Sequence, residues 1–232
     1  MLVYGKNVAF DLLKKNKIIN KIYFQDNFDD EKIISLVKKL KISFKYCTKS
    51  EMSHLCNGLH QGIILDIPDY SYSKIDDIFF NNADLVVILD HLEDPHNLGA
   101  IIRTCEAAGI KYVIIPKNRQ VLINSTVMKT SVGTLDNVNI VLVNNISQTI
   151  RDLKNNNFWI VGTSLDTNDD YRSIDYSGKI ALVIGNEGDG ISKLVSNNCD
   201  YLVKIPMYGQ TNSLNASVAA GIMIYEIIRN RK

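Results

Sequence analysis

From residue 83 onward, six runs of apolar, largely β-branched residues recur: LVVILD (85–90), YVIIP (112–116), NIVLV (139–143), FWIVGT (158–163), IALVIG (180–185) and YLVKIP (201–206). Strands that are apolar on both faces must be covered on both sides. Helix-like segments separate most of these runs, and strand–helix alternation is the pattern of a parallel sheet flanked by helices. The expected fold class is therefore α/β with a parallel sheet over residues 83–232.

The preceding chain reads differently. VAFDLLKK and EKIISLVKKLK carry helical periodicity, with Ile33, Ile34, Val37 and Leu40 on one face. KIYF, ISFKYC and GIILDI read as short strands. Residues 1–67 thus form a small α+β unit. The polar and aromatic stretch that starts at Pro68 reads as a linker over 68–82. Charge divides along the same line. Residues 1–67 carry eleven Lys/Arg against seven Asp/Glu, a net of +4, and the remainder a net of −3. A basic N-terminal part suits contact with nucleic acid, and a Lys-rich solvated surface explains it equally well.

Composition excludes some classes. Apolar residues make up 46% of the 232, enough for a core. The first residues hold no secretory h-region, and no apolar run reaches the ~18–20 residues of a membrane span; a cytoplasmic protein is expected. Cys47, Cys56, Cys105 and Cys199 form no C-x-x-C pair, and the four His show no ligand spacing. Reduced thiols and no metal site are expected.

In open parallel sheets, ligands bind outside the carboxyl ends of the strands. Four polar segments follow strands here: HLEDPHNLGAIIRTCEAAG, TSLD, NEGDGIS and MYGQTNSLN. In the first, Asp94 and Pro95 read as a helix N-cap and first helical residue. Leu98, Ile101, Ile102, Cys105 and Ala108 form the apolar stripe, and Gly109 ends the helix. Arg103 lies off that stripe, beside Ala100, Thr104 and Ala107. In the third, GNEGDGIS is neither a dinucleotide fingerprint nor a P-loop; its glycines permit a tight turn, and Glu187 sits between two of them. The closing segment opens a helix with Asn212, Ser213 and Asn215. One cap needs one such residue, so the cluster reads as cap, as site, or as both. Ala216, Ala219, Ala220 and Gly221 then allow close packing, within the domain or against a second subunit.

Together, LDHLEDPHNLGAIIRTCEAAG, LVIGNEGDGIS and IPMYGQTNSLNASVAAGIMIYE resemble, in order and spacing, the three motifs of the SpoU (TrmH-like) RNA ribose 2′-O-methyltransferases of the SPOUT superfamily. YGKNVAFDLL and HQGIILDI are similar to the small substrate-binding domain of the bacterial 23S rRNA guanosine 2′-O-methyltransferase subgroup. The resemblance implies a C-terminal deep trefoil knot, an exception to the rule that chains are un-knotted. It also implies an L30e-like ribosomal-protein-type N-terminal domain, S-adenosylmethionine as methyl donor, RNA as substrate and a homodimer through the knotted region.

Residue by residue, the resemblance makes Asn97, Arg103, Glu187, Ser213 and Asn215 the catalytic set. Gly185, Ile205 and Leu214, with Thr163 and Met207, become the donor pocket. The family's arginine is proposed as the general base, although a guanidinium stays protonated in ordinary surroundings. The alternative is that Arg103 binds the target phosphate and stabilises the developing alkoxide. Substrates in view are 23S rRNA and tRNA. A non-catalytic RNA-binding assembly factor and a small-ligand module remain as rivals.

Overall fold

The computed structural model describes every residue except Asn57, Val132 and Lys232. Two units emerge, one of residues 1–71 with 123–133, the other of 72–122 with 134–232.

The first unit begins β1 (Leu2–Tyr4), α1 (Lys6–Lys14), β2 (Lys21–Gln25), α2 (Glu31–Lys39), β3 (Phe44–Cys47), α3 (Lys49–Leu55), β4 (Ile63–Asp66). Its sheet runs β1-β4-β2-β3, with β2 and β3 parallel and the other pairs antiparallel. Helix α2 starts where Asp30 accepts from the Ile33 amide at 3.3 Å. Helix α3 starts on a capping box, in which Thr48 and Glu51 each bond the other's backbone N–H. Val3, Leu13, Ile22, Phe24, Ile33 and Val37 fill the core. Strands β2, β3 and β4 fall on the expected runs. β1 spans three residues and α3 seven, too short to show periodicity.

The second unit starts inside the expected linker. α4 (Ile75–Phe80) buries Ile78 fully in the core, and Ser73 bridges to Val141. The polar look of 68–82 concealed one buried anchor. There follow β5 (Leu85–Asp90), α5 (Pro95–Ala107), β6 (Tyr112–Pro116), α6 (Ser125–Ser131), β7 (Asn139–Val143), α7 (Ile146–Asn155), β8 (Phe158–Thr163), β9 (Lys179–Gly185), α8 (Lys193–Ser196), β10 (Tyr201–Val203) and α9 (Ala216–Asn230). Helix α6 belongs to the first unit, where Met128 packs against the core. Its residues therefore depart from the single 83–232 domain expected.

All six apolar runs are strands, and every pairing among them is parallel, in the order β10-β8-β9-β5-β6-β7. From β5 the chain steps outward to β6 and β7. From β9 it leads the other way, to β10. The reversal lies between β5 and β9, and such a switch point opens a crevice at the strand ends. The four cysteines are free thiols. Burial pushes Cys105 and Cys199 up to about 12, so neither is a thiolate at neutral pH. No described helix is long and apolar enough to cross a membrane.

Candidate active site at the strand ends

Asp90 and Gly185, the last residues of β5 and β9, are partners across the switch point. Asp90 is buried, at 1% exposure. A buried carboxylate needs hydrogen bonds on both oxygens. Oδ2 accepts from the Ser192 amide at 2.7 Å, and Oδ1 lies 2.6 Å from His91 Nδ1. Asp90 thereby ties the end of β5 to the segment that follows β9. His91 holds a left-handed backbone, φ 62°.

Helix α5 begins as expected, with Asp94 accepting from the His96 amide at 2.9 Å and Pro95 in the first turn. That fixes Asn97 one turn in, 6% exposed. Its amide is used in both directions. Nδ2 donates to Glu187 Oε1, and Oδ1 accepts from Asn215 Nδ2 at 2.9 Å. Asn215 in turn caps α9, its Oδ1 accepting from the Ser217 amide at 2.9 Å and the Ser217 hydroxyl at 2.6 Å. Asn215 is thus both cap and member of the site.

Glu187 projects from a small hairpin. Asn186 and Gly190 exchange backbone hydrogen bonds of 3.1 and 3.2 Å, and Asn186 Oδ1 accepts from the amides of Gly188 and Asp189. The hairpin closes directly on Gly185. A Cβ there would lie 2.0 Å from the Gly190 carbonyl carbon, so only glycine fits.

Of the five expected catalytic residues, hydrogen bonds join Asn97, Glu187 and Asn215. Arg103 and Ser213 are exposed and make no hydrogen bond or ion pair with another described residue. Arg103 is six residues beyond Asn97, about 9 Å along α5 at 1.5 Å per residue. Its guanidinium is free to take an anion. Of the expected donor residues, Thr163 and Gly185 end the adjacent strands β8 and β9, and Ile205 and Met207 follow β10 on the other side of β8. Leu214 precedes α9. Gly185 is buried and the other four are half-buried. Apolar side chains beside backbone polar groups at one rim suit a nucleoside-bearing ligand.

A cleft of about 500 Å³ in this unit lies elsewhere, lined by Ala83, Asp84, Lys111, Asn139 and Arg231 near the strand starts. It holds none of the candidate residues. The candidate residues sit on the opposite rim, where three sequence segments meet in one hydrogen-bonded set. No group of three or more His, Cys, Asp or Glu among the described residues is placed to hold a metal. Sequence reasoning missed Asp90, His91 and Asn186. The one available signal was a carboxylate closing an otherwise apolar strand.

Comparison with known proteins agrees with this geometry. Residues 84–225 match the SpoU rRNA methylase family, and residues 2–73 match a domain described as RNA 2′-O ribose methyltransferase substrate binding. YacO of Bacillus subtilis (strain 168), named for the TrmH family of tRNA/rRNA methyltransferases, is 38% identical over 99% of this chain and 95% of its own. The AdoMet-bound rRNA methyltransferase of Sinorhizobium meliloti superposes with a TM-score of 0.77 at 27% identity, covering 98% of this chain and 86% of that one. The SpoU methyltransferase AviRb of Streptomyces viridochromogenes shares the fold, with a TM-score of 0.79 at 22% identity over 100% and 90% of the two chains. The chain belongs to the SpoU family and is an S-adenosylmethionine-dependent RNA methyltransferase.

Proposed function

We propose that this SpoU-family enzyme methylates a ribose 2′-hydroxyl in RNA, that its target is a guanosine of 23S rRNA, and that it works in the cytoplasm as a homodimer with its C-terminal segment threaded in a trefoil knot. The observation that carries the reaction type is the hydrogen-bonded set Asn97–Glu187–Asn215, with the uncommitted Arg103 on the same helix as Asn97. An L30e-like first unit would carry the RNA contacts, in keeping with the substrate-binding match over 2–73.

S-adenosylmethionine supplies an electrophilic methyl group on a sulfonium. The chain's own work is to align the ribose and to manage its proton. Thr163, Gly185, Ile205, Met207 and Leu214 hold the donor. Arg103, always cationic, binds the target phosphate and stabilises the alkoxide that develops at the 2′ oxygen. The proton leaves to that phosphate. Asn97, Glu187 and Asn215, with Ser213, orient the ribose against Arg103. Positioning of this kind supplies up to roughly 7–11 kcal/mol of the barrier.

Helix α9 supports the dimer. Val218 and Tyr225 are 49% and 52% exposed. With Gly221 and Ile222 they form an apolar stripe at i, i+3, i+4 and i+7, and a Cβ on Gly221 would meet open space. A second copy covers that stripe.

The test is transfer of radiolabelled methyl from S-adenosylmethionine to unmodified 23S rRNA and, separately, to unmodified tRNA, with Arg103→Ala as control. Label in rRNA alone, lost in the variant, is expected. Label in tRNA alone would overturn the substrate and keep the chemistry. That outcome matters because relatives carry both substrates in their names.

A further inference from the structure

A cleft of about 370 Å³ in the first unit opens between the turn 58–62 and Lys6, Gln25, Asn27, Phe28 and Lys49. That volume falls within the about 300–1,000 Å³ of small-molecule sites. The turn is costly to form. Gln61 holds φ 53°, a left-handed backbone on a residue other than glycine, and Gly62 holds φ 80°. A Cβ on Gly62 would come within 2.9 Å of the Phe28 ring. Backbone in such regions persists only where its surroundings hold it, and it concentrates at binding sites. Here the surroundings do hold it. Gln61 Oε1 accepts from the Lys6 amide at 2.9 Å, and His60 Nδ1 accepts from the Gly62 amide at 3.0 Å. The Gln25 amide donates to the Gly62 carbonyl at 2.9 Å.

These bonds decide what the lining still offers. With its carbonyl used, Gln61 retains its NH₂. With Nδ1 accepting, the neutral His60 ring carries its proton on Nε2. Gln25 Nε2 donates to Asn27 Oδ1 at 2.8 Å, which leaves the Asn27 NH₂. The Lys49 ammonium makes no hydrogen bond or ion pair with another described residue. The uncommitted side-chain groups are therefore mostly donors, with Gln25 Oε1 and the Asp29 carboxylate the acceptors among the lining residues. Leu59, 74% exposed, adds apolar surface, while the Phe28 ring, under the Lys6 ammonium at 5.2 Å, is 8% exposed. Charge does not dominate. Lys6 is held by Asp30 at 3.5 Å, and the carboxylate Asp29 lines the cleft along with Lys49. A phosphate track needs several free cations; this cleft offers amides and apolar faces, the groups that read a splayed base.

We infer that this cleft takes one unstacked nucleobase of the RNA substrate and favours a base bearing a ring carbonyl over adenine, which has none. The inference rests on the reading of the first unit as the RNA-binding part. It puts base selection at the start of α1, away from Lys14 and Lys15 at the helix end.

The experiment measures binding of the full chain to fluorescein-labelled ten-nucleotide oligo(U), oligo(C) and oligo(A) by anisotropy. Oligo(U) and oligo(C) should bind about tenfold more tightly than oligo(A), the worth of one or two net hydrogen bonds. Gln61→Glu keeps the acceptor for the Lys6 amide and removes the donors. It should erase the preference at unchanged melting temperature. Charge reversal at Lys14 and Lys15 should weaken all three alike. Equal binding of the three by the unaltered chain, or a preference untouched by Gln61→Glu, would overturn the inference. Methylation of 23S rRNA is measured on the same preparation. Methylation without base preference defeats the cleft alone; preference without methylation of any RNA defeats the proposed reaction and leaves the cleft standing.

Discussion

Asn97 and Glu187 lie ninety residues apart in the chain and share a hydrogen bond at the switch point of the sheet. That bond joins the first turn of α5 to the hairpin after β9, and the other half of the Asn97 amide reaches α9. Among the described residues, no other buried side chain at this rim hydrogen-bonds to both of the other segments.

Asn97→Asp should therefore fail, although it preserves shape. It sets a second carboxylate against Glu187 and removes the only donor between them. Stability should fall by about 1–3 kcal/mol, the usual cost of an unsatisfied buried polar group. Turnover should fall about 100-fold, since small displacements of a positioned reactant cost that much. Thermal melts and methyl-transfer kinetics read the two effects separately.

Gly185→Ala should dismantle the hairpin. The added carbon has backbone, not a movable side chain, 2.0 Å away, and overpacking of that kind costs about 1–3 kcal/mol or more. Calorimetry with S-adenosylmethionine should show donor binding lost in a chain that still folds. Normal donor affinity would remove the hairpin from the donor site.

Arg103→Lys keeps the charge and loses the planar fork. Because Arg103 is exposed and unbonded, stability should change by less than about 0.5 kcal/mol. Turnover should drop at least about 100-fold with donor binding intact. Near-normal turnover would sink any role that needs bidentate contact.

Tyr225→Asp places a charge in the exposed stripe of α9. Light scattering should show the unaltered chain as a dimer and the variant as a monomer. A monomeric unaltered chain would contradict the dimer.

Much of this was legible in the chain. All six strands of the parallel sheet announced themselves by apolar runs, because burial on both faces of the central strands β5, β6 and β9 leaves no room for polar alternation. The cap at Asp94 and Pro95 was equally plain. The site was legible only as far as chain order allowed. Asn215 read as cap, as site member or as both, and only the structure shows that the side chain capping α9 also bonds Asn97. Asp90 was hidden because a carboxylate at a strand end looks like the start of a loop until Ser192, far along the chain, is brought against it. α6 was hidden for a related reason. Its docking on the first unit depends on Met128 meeting a core assembled by residues more than sixty positions earlier, and no local pattern records such a meeting.

The central claim is that the rim built on Asn97, Glu187 and Asn215 serves attack by a ribose hydroxyl. The direct test is the chemical identity of the product: RNA methylated in vitro with S-adenosylmethionine is digested to nucleosides and analysed by mass spectrometry. The account predicts 2′-O-methylguanosine, with the adjacent phosphodiester resistant to alkaline cleavage. A methyl group on the base, with an unprotected 2′-hydroxyl, would contradict it.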